Sequence, residues 1–134
     1  MTTSCNSQNH EQPRKDRHPA VAGQFYAGDS ATLSKDLKAL FDKVIPKKVS
    51  DVLALIAPHA GYVFSGEVAA SAFNQIDENK QYADIFVIGS SHSSYFSAAS
   101  VYCDGDFITP LGTVEVDTAL AKKLVKENAI IKNY

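Results

Sequence analysis

The sequence predicts an α/β fold, a mostly parallel sheet flanked by helices, and three observations predict it. Residues 52–57 are a continuous apolar run without alternation, the pattern of a strand covered on both faces, and 82–89, with its apolar run from Ile85, reads as the next strand. Between them, residues 66–76 repeat apolar side chains at helical spacing. The order strand, loop, helix, strand over about 37 residues matches a βαβ unit with a right-handed crossover.

The elements follow in order. Residues 1–18 are polar with almost nothing apolar to bury, so composition predicts a disordered tail, with Cys5 an exposed thiol and His10 without a role. From Pro19 an apolar, aromatic stretch, Ala20-Val-Ala-Gly-Gln-Phe-Tyr26, reads as an extended segment packed on the body. Leu33, Leu37, Leu40, Phe41 and Val44 form one helical stripe, with Asp29 or Ser30 as its cap and Pro46 as its stop. In the next helix Val68, Ala69, Ala72, Phe73 and Ile76 make the expected buried side. Residues 98–103 read as a further strand, Asp104-Gly-Asp106 as a turn, and 107–116 as an extended segment broken at Thr109-Pro-Leu-Gly112. Asp117 or Thr118 caps a last helix with Leu120, Ala121, Leu124 and Val125 inward, and Ile130-Ile131 opens another strand.

With 134 residues, 45% hydrophobic and 21% charged, the expectation is one domain with one core, spanning 19–134 after the tail. A formal net charge of −2 gives no electrostatic reason to expect nucleic acid or an anionic membrane as partner. No run reaches the ~18 apolar residues of a membrane span, and a cytoplasmic address is the default expectation. The two cysteines are too far apart to make a short-spaced disulfide or zinc pair, and Cys103 reads as a small buried hydrophobe.

The chemistry concentrates where the two apolar runs end. His59 follows the first and His92 follows the second, 33 residues later. Ligands of open α/β sheets bind beyond the carboxyl ends of strands, so neighbouring strands would bring both imidazoles to one cleft. Two imidazoles so placed suit a single metal ion, whereas a complete zinc or iron centre takes at least three protein ligands. Gly61 allows a tight turn and leaves room for a ligand, Tyr62 is the candidate catalytic hydroxyl or a wall of the pocket, and Ser91 and Ser93 are candidate substrate-binding hydroxyls. The alternative is that each histidine is a polar strand-end residue bonded to backbone. A serine hydrolase is disfavoured because Gly89-Ser-Ser-His-Ser93 lacks the last glycine of a nucleophile elbow. Neither phosphate-loop pattern is matched.

Taken together, Pro19-Ala-Val-Ala-Gly-Gln-Phe-Tyr26, Ile56-Ala-Pro-His-Ala-Gly-Tyr-Val-Phe-Ser-Gly66, Ile88-Gly-Ser-Ser-His92 and Thr109-Pro-Leu-Gly-Thr-Val-Glu-Val-Asp117 resemble the Memo family, also called AmmeMemoRadiSam system protein B. The resemblance implies a fold similar to class III extradiol dioxygenases, with His59 and His92 matching two family metal ligands for iron or copper. It also implies a family chain about twice as long, whose other ligands lie in its second half, so that this chain resembles an N-terminal half. Two function classes follow: a metal-dependent oxidoreductase using Fe(II) or Cu, and a binding module that takes a small-molecule anion or a phosphopeptide in the same cleft.

Overall fold

The computed structural model describes residues 14–133; the expectations for 1–13, including Cys5 and His10, lie outside the described residues. In chain order the elements are α1 (Ser30–Phe41), α2 (Tyr62–Phe73), β1 (Ala99–Val101), β2 (Phe107–Thr109), β3 (Gly112–Val114), α3 (Thr118–Glu127) and β4 (Ile131–Asn133). The architecture is α/β, in two compact units.

The unit built on Pro19–Tyr95 is a helix pair. Asp29 caps α1, its carboxylate accepting from Thr32 N at 2.9 Å. That bond pulls the Asp29 carboxyl below its ordinary range. The apolar stripe runs on to Val44, but the helix stops at Phe41. Lys43 and Val44 donate only three residues back, to Leu40 and Phe41 carbonyls, tightening the chain ahead of Pro46.

Helix α2 starts at Tyr62, four residues earlier than its sequence stripe. Gly61 caps it: Phe64 and Ser65 N–H both bond Gly61 O, Ser65 Oγ donates to Ala60 O at 2.9 Å, and Tyr62 N–H reaches back to Phe25 O at 2.8 Å. Its buried side is Ser65, Gly66 and Ala70, not Val68 and Phe73, which are exposed. The reason is at Gly66, where Leu40 of α1 lies so close that an added Cβ would come within 2.9 Å of a Leu40 methyl. The small residue at Gly66 admits Leu40, and Leu33 of α1 is buried at 3% exposure. At the far end the segment after α1 is tied down by side chains just past the end of α2. Asn74 donates to Ile45 O at 2.9 Å, and Gln75 accepts from Lys48 N at 2.7 Å.

The two strands predicted over 52–57 and 82–89 are not formed; neither stretch belongs to a ladder among the described residues. The expected βαβ unit is therefore absent from this unit. A strand has no intrinsic hydrogen-bond partners, so an apolar run becomes one only where a neighbour is aligned with it. At the starts of the two runs Tyr82 OH donates to Val52 O at 2.9 Å, and just before them Lys80 pairs with Asp51.

The second unit takes in Phe96–Ile108, the segment after Thr113 and the described residues 14–18. Here the sequence expectations hold for β1, the Asp104-Gly-Asp106 turn, α3 and β4. β1 and β4 pair in parallel, Ala99 opposite Ile131 and Val101 opposite Asn133. Asp117 caps α3 by accepting from Leu120 N at 2.8 Å, and α3 buries Ala121. Residues 14–18, assigned by composition to the tail, have backbone partners. Lys15 N donates to Asp104 O, Arg17 N to Asp106 O, and Ile108 N to Arg17 O. Gly105 makes this approach feasible, since a Cβ there would sit 2.5 Å from Lys15 O. Asp106 anchors the turn, accepting from Val116 N at 3.0 Å and pairing with Arg14. β2 and β3 form a two-stranded hairpin on the Thr109-Pro-Leu-Gly112 break, with Thr109 Oγ1 donating to Gly112 O at 2.8 Å. No helix among the described residues is long and apolar enough to cross a membrane.

Candidate functional site

Each apolar run ends in a turn that the sequence writes locally. After the first run, Pro58 limits the backbone, His59 follows, and Gly61 starts α2. A Cβ on Gly61 would lie 3.3 Å from Phe25 O, so the glycine serves close packing of two chain segments. After the second run, Ser91 folds its own loop: its hydroxyl donates to Ser94 O at 2.7 Å and accepts from Ser94 N at 3.1 Å. His92 and Ser93 ride on that loop and are exposed.

The two loops meet. His59 Nε2 and His92 Nε2 are 3.0 Å apart, with ring centroids separated by 5.2 Å and planes inclined at 63°. The expected convergence of the imidazoles is present without the strand pairing expected to produce it. At that distance two chemistries are open to the pair. One Nε2–H can donate to the lone pair of the other, or both lone pairs can face one electrophile. Both rings are exposed.

Tyr62 is the first residue of α2, half-buried, with its ring 5.7 Å from that of Tyr26 and tilted by 38°. Burial, reinforced by the neighbouring Tyr26, pushes the Tyr62 phenol above its ordinary range, so it is a hydrogen-bond donor at neutral pH. Tyr62 lines a hollow of about 430 Å³ with Leu40, Phe64 and Gly66, and neither histidine borders it. Cys103 is a free thiol at 2% exposure, as the sequence predicts, and burial raises its pKa with Asp104 adding to the effect. Asp106 and Asp117 are consumed in turn and cap bonds. Among the described residues no group of three or more His, Cys, Asp or Glu side chains could hold a metal ion.

One contribution was not legible as functional. Phe25 and Tyr26, read only as a packed segment, secure the start of α2 three residues after His59 through a carbonyl and a ring. The aromatic pair beside Gly23, whose φ is +79°, was the available signal of a shaped loop.

An α/β chain in which two histidine loops close on one point is the class that fold and geometry define. A model of the family described as Memo-like protein matches residues 17–134, and the chain belongs to that family. It is 41% identical over 115 residues to a MEMO1 family protein of Pyrococcus abyssi, an alignment covering 85% of this chain and 39% of the relative. It is 37% identical over 122 residues to one of Methanothermobacter thermautotrophicus, covering 86% and 44%. A third, from Metallosphaera sedula, is 36% identical over 124 residues, again covering 86% and 44%. The chain thus spans about two fifths of the length of the curated relatives it matches.

Proposed function

We propose that this chain contributes two histidine ligands, His59 and His92, to a non-haem iron or copper centre in an oxidoreductase similar to the class III extradiol dioxygenases. The observation that carries the reading is the 3.0 Å separation of the two Nε2 atoms. Two metal–nitrogen bonds of about 2.1 Å at an angle of about 90° span about 3.0 Å, so the pair fits adjacent positions on one ion. Each ring would then keep its proton on Nδ1 and offer Nε2. The remaining positions fall to groups other than the described ones. A bound metal would supply Lewis acidity and a redox couple.

The chain's own residues have separate tasks in this reading. The Tyr62 phenol, in the first turn of the helix that follows His59, is the candidate hydrogen-bond donor to a substrate oxygen. Gly61 lets the backbone that follows His59 pack against Phe25, which holds the turn carrying the ligand. Ser91 fixes the loop that presents His92, and the Ser93 hydroxyl is left to bind substrate.

A second reading has one observation of its own. The N-terminus of α2 carries no side-chain cap; Tyr62, Phe64 and Ser65 N–H are already bonded to backbone, so what favours an anion beside Gly61 is the helix dipole. The cleft would then bind a small anion or a phosphopeptide, with the histidines as hydrogen-bond donors.

Anaerobic calorimetric titration of the 134-residue chain with Fe(II) or Cu separates the two. One weak site is expected, about 10–100 µM, because two ligands provide only part of the energy of a complete centre. The site should vanish in His59→Ala and in His92→Ala. Metal binding that both variants retain, or none in the parent, removes the metal reading. Phosphate binding by metal-free protein that both variants lose would establish the second.

A further inference from the structure

In the Pro19–Tyr95 unit, exposed apolar side chains gather where the sequence predicts the deepest burial. Leu53 and Ile56 are 86% and 98% exposed, and Val87 and Ile88 are 93% exposed each. Val63 and Phe64, in the first turn of α2, are 93% and 87% exposed. In Ile85-Phe-Val-Ile88 all four successive side chains are exposed. Successive side chains of an extended segment point to opposite faces, so this segment lacks cover on both. Neither run is in a ladder among the described residues, which leaves their backbone edges available for pairing as well.

We propose that the two runs form a docking surface for the polypeptide that the curated relatives carry and these 134 residues do not: a complementary part of a Memo-like domain. That part would add strand edges beside 53–56 and 85–88 and apolar layers above and below them. Three facts select this occupant. The alignments account for 85–86% of this chain but only 39–44% of the relatives, so the relatives have the material. The exposure is two-sided, whereas a second copy related by a two-fold axis would cover one patch on one face. The runs are continuous and uncharged, the composition of strands inside a sheet with layers on both sides. His59 and His92 stand three or four residues beyond the runs, so docking would also fix the loops that carry them. The proposal does not depend on what those histidines bind.

The test is co-expression of the 134-residue chain with the portion of the Pyrococcus abyssi relative that has no counterpart in it. A 1:1 complex is expected by size exclusion with light scattering. Amide hydrogen exchange at 53–56 and 85–88 should be slowed ~100-fold or more relative to the lone chain. The double substitution Val87→Lys, Ile88→Lys should abolish the complex and leave the melting of the lone chain unchanged. If the added portion is insoluble, the same exchange measurement is made on a joined chain in which residues 17–134 replace the aligned segment of that relative. Two folded polypeptides that stay apart would overturn the proposal. So would a joined chain that fails to fold or exchanges those amides as fast as the lone chain does. A lone chain that already protects them in a discrete dimer would assign the surface to a second copy instead.

Discussion

Helices α1 and α2 and the two histidine-ended runs belong to the same unit and differ completely in what the chain alone makes of them. The helices satisfy their backbones internally and then meet where Leu40 approaches Gly66, with Leu33 and Ala70 buried on them. The runs belong to no ladder among the described residues, and Leu53, Ile56 and Ile85-Phe-Val-Ile88 stand in solvent. A helix is a local decision that packing confirms, whereas a central strand is a joint decision with its neighbours. The two imidazoles nevertheless meet at 3.0 Å, because Gly61 and Ser91 organise the turns after the runs from nearby residues.

The strongest way to break this contrast is at the helix contact. Leu33→Ala should cost roughly 2–4 kcal/mol, because the side chain is almost wholly buried and its loss leaves a cavity. Thermal melting followed by far-ultraviolet circular dichroism would read it as a large fall in midpoint. Gly66→Val should cost somewhat less, about 1–3 kcal/mol, by overpacking against Leu40. Gly66→Ala is the informative companion. Its single methyl meets only the flexible end of Leu40, and the gain in helix propensity of roughly 0.5–1 kcal/mol offsets the crowding. A Gly66→Ala variant as unstable as Gly66→Val would show that the helices cannot move apart at all.

The same contrast explains what could be read from the sequence. Asp29 and Asp117 named the starts of α1 and α3, and Asp104-Gly-Asp106 and Thr109-Pro-Leu-Gly112 named their turns, because caps and turns depend on residues within a few positions. The start of α2 was missed by four residues. Its determinant is Phe25 O and the Gly61 cap, and the first of these is distant in sequence. Its buried face was misread for a related reason. Val68 and Phe73 are the apolar choices, but Leu40 of the other helix selects the small side at Gly66. Of the site, the pairing of His59 with His92 was legible from their matching positions after two similar runs. That Ser91 spends its hydroxyl on its own loop was not, since Ser91, Ser93 and Ser94 are alike in sequence.

The sharpest form of the comparison is the substitution expected to do least. Val87→Thr and Ile88→Thr replace the kind of side chain whose loss from a core is costly. A buried valine or isoleucine made polar without a partner is among the more destabilising changes a small domain meets. Here both side chains are 93% exposed, and threonine keeps the β-branching that suits an extended backbone. Each change should therefore shift the stability of the 134-residue chain by no more than about 0.5 kcal/mol. Leu33→Ala, measured in the same melting experiment, provides the scale. A loss at Val87 or Ile88 comparable to that at Leu33 would mean that the run is already packed in this chain. The distinction between an internally satisfied helix pair and two uncovered runs would then fail.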